Sequence, residues 1–104
     1  MGLVPEKLPA RIVLTPDSTP TTIDVLNAWQ KPVDVSFTHY AGVQLQGKET
    51  LLKIPDIELN PSSNGYVIRP KDQIIMDGIT YVVRAARLMS VRTVWECVCR
   101  EAGI

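Results

Sequence analysis

The most regular alternation in the chain is Val33-Asp34-Val35-Ser36-Phe37-Thr38, with Val33, Val35 and Phe37 on one face and Asp34, Ser36 and Thr38 on the other. Successive side chains of a strand point to opposite faces, so this spacing predicts a half-buried strand over 33–40, with His39 continuing the inward face. Similar short runs recur. Arg11 to Thr15 reads as a strand ended by Pro16. Thr22 to Trp29 alternates through Ile23, Val25 and Trp29, with Asn27 out of phase. Polar, proline-containing Thr15 to Thr22 reads as a loop, and residues 1–8 as a loose arm. The 8 prolines punctuate the chain too often for a helical stripe of useful length.

Residues 41–60 are harder to read. Gln46-Gly47-Lys48-Glu49 resembles a turn between Val43–Leu45 and Thr50–Ile54, while a short helix within 48–54, stopped by Pro55, fits the composition as well. Asn60-Pro61-Ser62-Ser63-Asn64-Gly65 is a strong loop signal. Gln73–Met76 and Ile79–Val83 flank Asp77-Gly78, the pair favoured in a type I′ turn because both central residues need positive φ. Ala85–Ser90 would suit a helical turn, but a strand continuing into a loop fits better beside the preceding β-rich run. In the last segment Val91, Thr93, Trp95, Cys97 and Cys99 share a face. Arg92, Glu96 and Arg100 lie opposite, interrupted by Val94 and Val98. Valines on a nominally wet face imply covering neighbours, as in a closed small barrel. The expected fold is therefore all-β, or mainly β. It is a single domain over 1–104, a small antiparallel barrel or sandwich with long loops and at most one short helix.

Composition narrows the function classes. The 104 residues suit one domain, and 45% apolar with 21% charged residues suits a globular core. The 11 Lys and Arg balance the 11 Asp and Glu. That balance removes the broad basic field of a free-standing DNA-binding domain, though Arg84, Arg87 and Arg92 form a local cluster. Cys97 and Cys99 would sit on one face about 6.5–7 Å apart at Cα, at or beyond the reach of an unstrained disulfide. With the single His39 they make a poor zinc set, so both read as small core residues of a reducing compartment. Trp95 and Tyr81 read as core aromatics, although each has an arginine close by in sequence, the pairing a nucleic-acid stacking platform would use. The N-terminus lacks a signal-peptide run and no stretch approaches a membrane span, which predicts a soluble protein made in the cytosol.

No glycine-rich phosphate loop, Gly-x-Ser-x-Gly elbow or metal-spaced ligand set occurs in the sequence. The reading is a non-enzyme without cofactor or metal. Asp72 and Asp77 are explained by hairpin placement.

The stretch Tyr66 to Arg84, with Trp95-Glu96-Cys97-Val98-Cys99-Arg100 after a loop, resembles the head–tail joining (connector, or stopper) proteins of tailed bacteriophages. Asp72 before an apolar strand, the Gly78 turn, the aromatic-Val strand Tyr81-Val82-Val83, and a last strand opened by Trp95 occupy the family's places. Lys71 stands where the family usually has glycine. The resemblance implies a small barrel that assembles into a ring between portal and tail and helps retain packaged DNA. It implies portal or adaptor proteins, tail proteins and further copies of itself as partners, and leaves room for non-specific DNA contact. The protein would then be found in the host cytoplasm during assembly and at the head–tail interface of the virion. Asn60, Ser62, Ser63 and Asn64 in the loop, with Arg84, Arg87 and Arg92 around the last connection, are the expected assembly contacts. Two alternatives remain from the residues: a small nucleic-acid-binding barrel using the three arginines, and a small enzyme or ligand-binding barrel with His39 and Tyr40 at its mouth.

Overall fold

The computed structural model describes residues 7–15, 19–32, 39–40, 43–44, 49–62, 65–89 and 93–102. Its elements are β1 (Leu8–Leu14), β2 (Thr21–Pro32), β3 (His39–Tyr40), β4 (Val43–Gln44), β5 (Thr50–Pro55), α1 (Asp56–Leu59), β6 (Gln73–Met76), β7 (Ile79–Leu88) and β8 (Val94–Glu101). Six of the strands close into a barrel in the order β1-β2-β5-β8-β7-β6, every neighbouring pair antiparallel. Closure pairs every strand on both sides and so removes the exposed edges of an open sheet. Among the described residues β3 and β4 form a separate two-stranded sheet.

The barrel is mainly β, as the alternation predicts, and its interior is filled. Ile12 from β1, Val25 from β2, Leu52 and Ile54 from β5, Ile74 and Met76 from β6, Val83 from β7 and Cys97 and Cys99 from β8 meet there, with Leu59 of α1 and Ile68 of the following loop packed into the same cluster. A barrel this narrow has room for side chains and little else. Both cysteines are free and buried, and Trp95 and Tyr81 belong to the core. No helix among the described residues is long and apolar enough to cross a membrane.

Tight local chemistry explains the hairpin between β6 and β7. Asp77 and Gly78 have φ of 54° and 76°, the left-handed values a type I′ turn needs. β7 then runs on to Leu88, so 85–88 is strand, not helix. Two bulges alter the simple alternation. In β2, Ala10 pairs with Val25 but Leu8 with Ala28, so one extra residue is accommodated at Leu26–Asn27. This takes Asn27 out of phase and corrects the expected inward place of Trp29: past the bulge Ala28 enters the core instead. In β7, Val83 pairs with Cys99 and Ala85 with Val98, leaving Arg84 as the inserted residue. Past it, Ala86 and Leu88 pack against the core while Ala85 turns outward.

Several sequence expectations are corrected. The first strand begins at Leu8, inside the expected arm, and ends at Leu14 before Thr15, which has φ of 50°. The helical turn falls after Pro55, not within 48–54. Proline lacks the N–H a ladder needs, but its fixed φ suits the entry to a helix, and here Pro55 is the N-cap. Val43-Gln44 pairs with His39-Tyr40, whereas Thr50–Pro55 pairs with β2 and β8. The two segments do not pair with each other, and the turn expected at 46–49 lies, apart from Glu49, outside the described residues. The predicted strand at Val33–Thr38, and residues 1–6 of the arm, lie outside the described residues.

On the outer face of β5, β8 and β7, Leu51, Val98 and Ala85 line up across the three strands and are buried, although none belongs to the interior cluster. Val98 has no exposed surface at all. The outward valine thus sits in a second apolar seam outside the barrel wall.

Candidate functional site: the Glu58 clasp and the Trp95 pocket

The expected assembly residues are distributed over two regions. Ser63, Asn64 and Arg92 lie outside the described residues. Ser62 is exposed in the turn after α1. Asn60 is a structural bridge: its amide donates to Asp56 Oδ1 at 2.9 Å and to the Tyr66 carbonyl at 3.1 Å, and its own carbonyl oxygen accepts the Tyr66 N–H at 2.6 Å.

Arg84 and Arg87 lie on the outer wall beside the apolar seam. Lys53, Glu96 and Arg87 face one another across β5, β8 and β7. Lys53 Nζ donates to Glu96 Oε2, while Arg87 Nε donates to Glu96 Oε1 at 3.2 Å. On the other side of the seam Arg84 Nη1 lies 3.6 Å from Glu49 Oε2, whose side chain is fully buried. Both arginines are therefore matched to carboxylates. A basic patch meant for phosphates would leave its cations without carboxylate partners.

The opposite flank presents apolar side chains. Glu58 of α1 reaches across to the β2 bulge: Oε1 accepts the N–H groups of Leu26 and Asn27, and Oε2 accepts the Asn27 side-chain amide at 3.0 Å. Burial works to raise the Glu58 pKa, but these hydrogen bonds and the nearby Lys7 ammonium outweigh it and hold the carboxyl below its ordinary value. Lys7 Nζ lies 3.5 Å from the centroid of the Trp29 ring, which seats the start of the described chain on β2. The clasp ties the Leu26 backbone to α1, and the side chains of Leu26 and of Ile57, the residue before Glu58, are 71% and 75% exposed. Beside Leu26 a groove of about 390 Å³ runs past Pro9, Ile75 and the Arg11–Asp24 ion pair.

A second depression, of about 380 Å³, opens where β5 ends and β8 begins. Asp56, Tyr66, Val67, Leu88 and Trp95 form most of its wall. The Asp56 N–H donates to the Thr93 carbonyl at 2.9 Å, which anchors the residue to the strand entering β8. Its Oδ1 accepts the Trp95 indole N–H and the Asn60 amide, each at 2.9 Å.

Neither region assembles a nucleophile with a base. Among the described residues no group of three or more His, Cys, Asp and Glu is placed to hold a metal. Burial pushes the Cys97 and Cys99 thiols well up, away from the reactive thiolate. Leu26, Ile57, Glu58 and Asp56 escaped the sequence reading. An exposed leucine carries no signal in a sequence, and the bulge that exposes it depends on a carboxylate 32 positions away. The chain matches no protein-family model, no curated protein and no solved structure.

Proposed function

We propose that this protein is a structural assembly subunit that joins head to tail in a tailed-phage particle, working as a ring member that helps retain the packaged DNA. The observation that carries the reading is the exposure of Leu26 and Ile57 beside the Glu58 clasp. Burying two such side chains at a contact is worth about 1.5–3 kcal/mol each, a strong incentive for association. A filled barrel has no lumen to offer a ligand, so its surface is what remains for function. The resemblance in the last third gains some support from Lys71. Its φ of 80° is in the region glycine favours, at the position where the joining proteins usually have glycine.

A ring requires two different, complementary patches on each subunit, because head-to-tail contacts close into a cycle. The Leu26/Ile57 flank supplies one; the paired charges and apolar seam around Arg84 and Arg87 are suited to the other. Partners would be further copies, portal or adaptor proteins and tail proteins. The nucleic-acid reading has less behind it, since Arg84 and Arg87 already face Glu49 and Glu96.

The test is genetic and visual. Deleting the gene from the phage or prophage that encodes it should leave separate tails and heads that lose DNA. The double variant Leu26→Glu with Ile57→Glu should do the same while its purified chain keeps the native spectrum. Joined, infectious particles from the deletion would overturn the proposal.

A further inference from the structure

We infer that the pocket framed by Asp56, Tyr66 and Trp95 binds the cationic end of an arginine or lysine side chain carried by a partner protein. Asp56 is a pre-set anion. Its Oδ1 is held by the Trp95 indole and the Asn60 amide, which fix the carboxylate plane. Among the described residues no hydrogen-bond donor meets its Oδ2 and no lysine or arginine lines the pocket. A ligand that offers an N–H donor with a positive charge completes that carboxylate, and charge-assisted bonds of this kind are the strong ones.

The remaining walls suit the rest of such a side chain. The half-buried Tyr66 supplies aromatic surface, which attracts a cation through the ring quadrupole. Leu88 and the 43%-exposed Val67 offer aliphatic surface to a methylene stem. Gly65 lies in the same wall with φ of 79° and nothing within 4 Å of where a Cβ would stand, so the approach there is open. An anion would meet Asp56 head-on. A bare metal ion would find one carboxylate and too few further ligands.

The identification of the occupant as a protein side chain rests on the assembly reading, because Asp56 adjoins the exposed Ile57 of the proposed contact flank. The preference of the pocket for a cation does not rest on it. The experiment separates the two. The Trp95 indole N–H of the purified chain, assigned with Trp29→Phe, is followed by NMR during titration with N-acetyl-arginine methylamide, its lysine and norleucine counterparts, and putrescine. Saturable shifts are expected with arginine and lysine and none with norleucine. Asp56→Asn keeps an oxygen for the indole and removes the charge; it should weaken arginine binding by about tenfold. Tyr66→Leu, which removes a ring and leaves the carboxylate, should weaken it several-fold. No saturable shift with either basic compound, equal shifts with norleucine, or undiminished binding in Asp56→Asn would overturn the cation site. Tighter binding of putrescine than of the arginine compound would overturn the protein side chain as occupant. Particle assembly that fails on gene deletion yet proceeds normally with Asp56→Asn would overturn it too, leaving the joining role standing.

Discussion

Asp72 and Thr15 stand 57 positions apart, yet the Asp72 carboxylate accepts the Thr15 N–H at 2.8 Å through Oδ1. Its other oxygen accepts the Arg69 N–H at 2.9 Å, and its backbone carbonyl accepts the Val83 N–H at 2.8 Å. One buried acidic residue thus ties the end of β1, the turn before β6 and the middle of β7. Both chain segments at this clasp are in left-handed conformations, Thr15 at φ 50° and Lys71 at φ 80°. Those conformations are disfavoured for residues with a Cβ and need such outside support.

Asp72→Ala should therefore cost about 2–4 kcal/mol, because it strands two N–H groups that a charged acceptor now satisfies. Asp72→Asn, which keeps one acceptor oxygen, should cost less. Urea unfolding should show a lower midpoint with an unchanged slope.

Glu58 links stability to pH. Its folded carboxyl sits below the ordinary 4.5, so the charged form is favoured by folding. That contribution is fully present above the unfolded pKa and fades as pH falls through the folded value. Thermal unfolding across the acid range should show wild type more stable than Glu58→Gln at neutral pH, with the gap closing below 4.5.

The two thiols report on opening of the barrel. Burial raises both thiol pKa values, Cys97 also feeling the neighbouring Cys99 and Glu96. Iodoacetamide at mildly alkaline pH should leave both unlabelled in the native chain and modify both in denaturant, as read by mass spectrometry. Fast labelling of the native chain would show that the barrel opens locally far more readily than its packing implies.

The Lys53–Glu96–Arg87 row should be sensitive at its centre. Glu96 has little exposed surface, whereas Arg87 is more than half exposed. Glu96→Ala leaves two cations facing each other around a buried gap and should cost on the order of 3 kcal/mol. Arg87→Ala, at the solvent side, should cost much less, about 1 kcal/mol or below. Chemical denaturation of the two variants tests the ranking.

Much of the candidate site was illegible because its residues are ordinary in sequence. Asn60 was singled out for its place in a loop, and its role proves to be holding Asp56 and Tyr66 in position. Arg84 and Arg87 suggested a basic cluster, and only the folded strands bring Glu49 and Glu96 against them.

The sequence by itself determined the β character of the chain, the turn at Asp77-Gly78, and the inward face of Trp95, Cys97 and Cys99, because these follow from local φ preferences and a period of two. Tertiary structure decided which strands are neighbours, where β2 and β7 bulge, and why Val98 is buried on the outer side. Alternation tells which face a side chain takes but not what lies across from it. The partner of a strand is chosen by contacts distant in sequence, and a single inserted residue held by a remote carboxylate reverses every face beyond it.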